Sequence, residues 1–188
     1  MANWVNEKRL EELEVAISDQ GLIVRDAGES ASVTIADGII SSVKFSNGDQ
    51  KWEATRDQAK IVKVGSENTS RTVWHFLAPG GPASRLRLGQ TFHDGEGTWS
   101  SLPHDFELNM ESGFEEFFQY QISGGSGFAH QVGRGIWRDG VEVDSVWTVR
   151  DGDFATIPMG YHPVVAEPGV RVSYVWAYLV KFPHWEKI

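Results

Sequence analysis

The chain has 188 residues and a mass of 21.0 kDa, enough for one well-buried core and too little for two full domains. Its 26 Asp and Glu outweigh 17 Lys and Arg, giving a formal net charge of -9. No basic face could then neutralise a phosphate backbone, so nucleic acid is excluded as an expected partner. The absence of cysteine excludes disulfides, zinc-thiolate centres and thiol nucleophiles, and leaves His, Asp and Glu to hold any metal.

The N-terminal stretch "MANWVNEKRLEELEVAISDQG" has charged residues where a secretory signal needs an apolar region. It therefore reads as part of the mature fold, in a cytoplasmic protein. Leu10, Leu13 and Ile17 recur at helical spacing within Val5 to Ile17, and Gly21 follows the last of them, which predicts one short amphipathic helix. Residues 1–20 are thus expected to be a helical appendage and 21–188 a single domain.

From Gly21 onward the pattern changes to short runs rich in β-branched and aromatic residues, divided by Gly, Asp and Asn turns. They include "SVTIADGIISSVKF", "AKIVKV", "RTVWHFL", "RLRLGQTF", "EEFFQYQI", "GFAHQV", "VEVDSVWTV" and "VRVSYVWAYLV". So many strands predict an all-β sandwich or barrel. The roughly sixty residues preceding the main run are too few to build a second core, so their strands are expected to complete the barrel's edges. No stretch is long and apolar enough to span a bilayer.

Within "GFEEFFQYQISGG", alternation puts Glu116, Phe118, Tyr120 and Ile122 on one face and Glu115, Phe117, Gln119 and Gln121 on the other. The first set is the more apolar, so Glu116 is expected to point inward. A carboxylate there needs a cation or hydrogen-bond donors to offset its desolvation. His104, in "GTWSSLPHDFEL", and His162, in "GDFATIPMGYHP", complete a set of two imidazoles and one carboxylate, which suits a divalent transition metal with open positions for substrate.

The stretch "GDFATIPMGYHPVVAEPG" resembles the second metal-binding motif of the cupins. The ordered set "GTWSSLPH", "FEEFFQYQI", "GFAHQV" and "VDSVWTVRDGDFATIPMGYHPVVA" is similar to the C-terminal half of the 5-deoxyglucuronate isomerase family, and more distantly to the uronate isomerases of pectin breakdown. The resemblance spans about Ser66 to Ala177. It implies a single cupin barrel, a double-stranded β-helix or jelly roll, with a divalent Zn, Mn or Fe ion held by His104, Glu116 and His162. It also implies a metal-dependent isomerase acting on a small sugar acid.

One departure stands out. The family's pattern has two histidines bracketing one residue, whereas "PHDFE" has Phe106 or Leu102 in the partner's place. Three protein ligands could suffice, Glu107 or His130 could supply the fourth, or the site could hold no metal. Moving a carbonyl to the adjacent carbon needs a base, for which Glu107, His130 and Tyr120 are candidates. Gln131, Trp147 and Arg138 are expected to contact substrate, with Arg134 an alternative cation for its carboxylate. The missing histidine also keeps open a degenerate cupin that binds a sugar or other small ligand without catalysis. The same ligand set would suit a lyase or oxygenase. Exposed sheet edges favour self-association as a homodimer.

Overall fold

The structure, a computed structural model, describes residues 2–100 and 114–180. Its first departure from expectation lies at the N-terminus. An irregular segment links β1 (Asn3–Trp4) to β2 (Glu14–Ser18), which forms a hairpin with β3 (Gly21–Arg25). The expected boundary at residue 20 therefore falls inside a hairpin. Among the described residues there is no α-helix, only single-turn 3-10 segments at Arg56–Gln58 and Glu67–Thr69. Leu13 is 1% exposed and Ile17 is 53% exposed, although a helix would have set both on one face. So short a helix is marginal alone, and cross-strand pairing with β3 offers the backbone a better partner.

After β4 (Ser30–Ala36), β5 (Ile39–Ser46) and β6 (Lys51–Thr55) come β7 (Lys60–Val64), β8 (Arg71–Leu77), β9 (Leu86–His93) and β10 (Trp99–Ser100). The later strands are β11 (Glu115–Gly124), β12 (Ala129–Ile136), β13 (Glu142–Val149), β14 (Asp153–Ile157), β15 (Met159–Tyr161), β16 (Val164–Ala166) and β17 (Val170–Leu179). They form three layers. A seven-stranded central sheet has the order β1-β14-β11-β17-β9-β8-β7. On one side of it lies the meander β2 to β6; on the other lies a sheet of β10, β16, β12 and β13, with β15 also paired to β12.

The middle strands of the central sheet, β14, β11, β17 and β9, are buried on both faces. Phe117, Val175, Ala177 and Leu179 pack with Leu22, Val33 and Phe45 of the meander in one core, while Phe118, Tyr174 and Trp176 pack with Val149, Met159 and Val164 in a second. Strands buried on both faces read as near-continuous apolar runs, which is how "EEFFQYQI" and "VSYVWAYLV" look. Strands β2 to β6 thus cover the back of the central sheet as a layer of their own, while β1 alone of the first six strands completes an edge, pairing with β14.

Polar clamps fasten this added layer. Gln90 accepts from the Ile40 N–H and donates to the Gly38 carbonyl. Glu29 accepts from the backbone N–H groups of Ser84, Arg85 and Leu86 and from the Ser84 hydroxyl. Burial pushes the Glu29 carboxyl up, but the donors outweigh it and hold its pKa below 4.5. Its stabilisation is therefore fully present above pH 4.5 and disappears as the pH falls through the depressed folded-state value. Replacing Glu29 by Gln should destabilise the protein by about 2 kcal/mol at pH 7, with the difference vanishing in acid, as read by urea denaturation at several pH values.

Candidate active site

Adjacent carboxylates on β11 face opposite layers. Glu115 points to the meander side, where its oxygens accept from the N–H groups of Glu11, Glu12 and Leu13 at 2.8–3.1 Å and meet the Arg138 guanidinium. Glu116 points into the space between the central sheet and the β12 sheet. Antiparallel register sets Ile157, Glu116, Tyr178 and Arg87 side by side on β14, β11, β17 and β9, all facing that space. The next row inward is Phe118, Trp176, Gly89 and His75. Gly89 is required there, since a Cβ would lie 2.3 Å from the Trp176 ring.

His162 arrives from the facing sheet, at the corner between β15 and β16. Gly160 makes this corner possible: it holds φ +112°, and a side chain would meet the Arg134 carbonyl at 2.6 Å. The Gln131 amide then donates to the His162 carbonyl at 2.8 Å, and the Val132 N–H donates to the Pro163 carbonyl. His162 is fully buried, with its ring edge-on to Phe118 and its Nε2 3.9 Å from Glu116 Oε2. An imidazole and a carboxylate from separate sheets thus converge in an enclosed, largely aromatic space. That donor chemistry fits a divalent transition metal. Among the described residues no three His, Asp or Glu side chains cluster closely enough to hold one by themselves.

Tyr120, on the same face as Glu116, donates its hydroxyl to Gln131 Oε1 at 2.7 Å. Burial first, then the neighbouring Tyr174 and Glu116, push its pKa well above the tyrosine range. It keeps its proton at neutral pH and is a donor, which corrects its expected role as a base.

Other expected residues fall elsewhere. His130 alternates with the inward Gln131 and lies on the outer face of β12, its Nε2 3.0 Å from Glu167 Oε1, so it meets neither Glu116 nor His162. Arg138 is engaged by Glu11, Glu12 and Glu115 on the far side of the central sheet, and Arg134 pairs with Asp144 in solvent. Neither geometry suits the substrate contact expected of them. Trp147 shares the inward face with Gln131, folded over Gly133 and against Trp137. His104 and Glu107 lie outside the described residues.

Sequence reasoning missed two inward groups on β9. Arg87 and His93 sit in "RLRLGQTFH", which reads as leucines inward and arginines outward unless both faces of the strand are known to be buried. His93 Nδ1 lies 3.0 Å from the Thr98 hydroxyl, while its enclosed Nε2 has no hydrogen-bond partner among the described residues. Burial, reinforced by the Arg71 charge, lowers its pKa from 6.5 to about 4.

Comparison with known proteins gives concordant results. The profile described as "KduI/IolB family" matches residues 26–187. The 5-deoxy-glucuronate isomerase of Geobacillus kaustophilus is 36% identical over 115 residues, which cover 59% of this chain and 40% of that protein. The protein of the same name from Bacillus subtilis (strain 168) is 32% identical over 119 residues, 61% of this chain and 43% of that one. The chain thus spans less than half the length of the curated relatives it matches. The crystal structure of an IolB-like protein from Salmonella typhimurium superposes with TM-score 0.60 at 18% identity, covering 92% of this chain and 72% of that one.

Because His93 is neutral in the fold yet titrates normally once unfolded, the unfolded state gains protons first as the pH drops. Stability should therefore decline as the pH falls from 6.5 toward 4, and a His93→Gln variant should show a flatter melting-temperature profile across that window.

Proposed function

The chain belongs to the KduI/IolB family, and on that premise we propose that it is a metal-dependent isomerase of a small sugar acid, with its site inside a cupin barrel formed by the central and β12 sheets. The observation that carries this reading is the buried approach of His162 to Glu116 at 3.9 Å between those two sheets. The name carried by the relatives, 5-deoxy-glucuronate isomerase, supplies the reaction class.

Glu116 and His162 would hold a divalent ion, Zn, Mn or Fe, with His104 as third ligand. Such an ion supplies a Lewis acid that polarises a substrate carbonyl and stabilises negative charge on its oxygen. The chain's own residues do the rest. Phe118, Tyr174 and Trp176 wall the space and exclude water. Gln131 is fixed by accepting from Tyr120 and donating to His162, which locks the corner that presents the imidazole. Tyr120 retains its proton, so proton abstraction falls to Glu107. The site would lie in a cytoplasmic homodimer; the open edges of β7 and β13, with Ile61 56% and Val146 62% exposed, support self-association.

A non-catalytic sugar-binding cupin is the second reading, favoured by Phe106 and Leu102 standing where a second histidine would be. Metal analysis separates the two. Protein purified without chelator should carry roughly one equivalent of divalent metal, lost in His162→Ala, with isomerase turnover falling on the order of a thousandfold in Glu116→Gln. Metal below about a tenth of an equivalent would sink the metal-dependent enzyme reading.

A further inference from the structure

We infer that Arg138 is a positioning residue: by gripping Glu115 it sets the gap between the two sheets across which Glu116 and His162 meet. This rests on the metal-site reading above and adds to it the group that holds the two halves of that site at their working distance.

The two halves belong to separate sheets. Glu116 rides on β11 of the central sheet, whereas His162 directly follows β15, which is held in the other sheet by pairing Met159, Gly160 and Tyr161 with Ile136, Gly135 and Arg134 of β12. Ladder hydrogen bonds fix the spacing of strands within a sheet and leave the gap between sheets to side chains.

Arg138 bridges that gap at the end where the site lies. It sits in the turn between β12 and β13, two residues beyond Ile136, and its guanidinium meets Glu115, the immediate neighbour of Glu116 on β11. One end of the contact is thus a single peptide from Glu116. The other end is two residues from the stretch of β12 that holds β15. Nη1 also lies 3.1 Å from Glu12 Oε1, and Nε lies 3.4 Å from Glu11 Oε2, so the same fork fastens the N-terminal segment. The turn is secured on its other side, where buried Trp137 lies under the Arg9 guanidinium and Arg9 Nη1 reaches Asp139 at 2.9 Å.

Burial makes this tie stiff. The Glu115 side chain is fully enclosed, and its charge is compensated by Arg138 together with the N–H groups of Glu11, Glu12 and Leu13. Arg134 and Asp144, 65% and 73% exposed, form the kind of solvated pair that constrains little. Among the described residues, further polar links between the two sheets lie deeper. Tyr120 donates to Gln131 and Tyr174 to Ser100, but these tyrosines stand four residues along their strands from Glu116 and Tyr178, roughly 13 Å away. Near Glu116 the described chain crosses between the sheets from Ile157 through Pro158 to Met159, and a single crossing acts as a hinge. Arg138 supplies the second tie, which fixes the angle.

Zinc affinity of the full-length protein, measured by competition with a chromophoric chelator, tests the inference. Arg138→Gln should bind zinc roughly tenfold more weakly than wild type, because a ligand displaced by about 1 Å is strongly felt at a metal. Arg138→Lys keeps the charge without the fork and should recover most of the loss, leaving zinc binding about threefold weak. Glu29→Gln loosens the meander away from the site; it should lower stability and leave zinc affinity at the wild-type value, which separates positioning from general destabilisation. A folded Arg138→Gln variant with wild-type affinity overturns the inference, as does an equal loss in Glu29→Gln. Should Arg138→Gln fail to fold, Arg138→Lys decides, and wild-type affinity in that variant overturns the inference. If the wild type binds no zinc, the metal reading falls, and a crystal structure of the folded variant decides the positioning. A Glu116 to His162 separation still at 3.9 Å overturns it, and a wider gap supports it.

Discussion

A sheet enclosed on both sides cannot use one face as a polar dump. In most antiparallel layers every second residue can be charged and solvated; in β11 and β17 that freedom is confined to the strand ends, because a meander covers one face and the β12 sheet the other. Each polar side chain that remains in the central strands must therefore meet a partner placed for it. Glu115 and Glu116 illustrate the consequence. One residue apart, they enter different layers: the first gathers the N–H groups of Glu11 to Leu13 and anchors the N-terminal segment, and the second meets His162.

The same enclosure shapes the chemistry of the inward space. Aromatic side chains dominate its walls, and hydrogen bonds within it run in short chains, as from Tyr120 through Gln131 to the His162 carbonyl. Locking Gln131 in this way orients the corner without adding charge. Desolvation keeps Tyr120 protonated and His93 neutral at pH 7. Among the described residues, the charged groups on this face include Glu116, Asp153 and the arginines of β8 and β9, and in such an enclosed space each acts over a longer range than it would in water.

Much of the β-rich region was legible in local pattern. Alternation in "EEFFQYQI" placed Glu116 on the face that the structure turns inward, and the Gly-Pro punctuation of "GDFATIPMGYHP" marked the corner bearing His162. Local pattern erred where two periods fit the same residues: Leu10, Leu13 and Ile17 satisfy helical spacing, yet Leu13 is buried in a β core and Ile17 exposed on a hairpin. For His130 the strand was right and the side wrong, since "GFAHQV" has an apolar residue at each alternate position and does not name its inward face.

Sequence by itself determined strand content and the residue types able to bind a metal in a chain without cysteine. These are properties of single segments, carried by period, composition and turn chemistry. Only the tertiary structure decided that the first strands form a third layer, that Glu115 rather than Glu116 holds the N-terminus, and that Arg87 lies in one row with Glu116. Those facts depend on which strand pairs with which and in what register, and pairing joins residues far apart in the chain whose local patterns carry no record of one another.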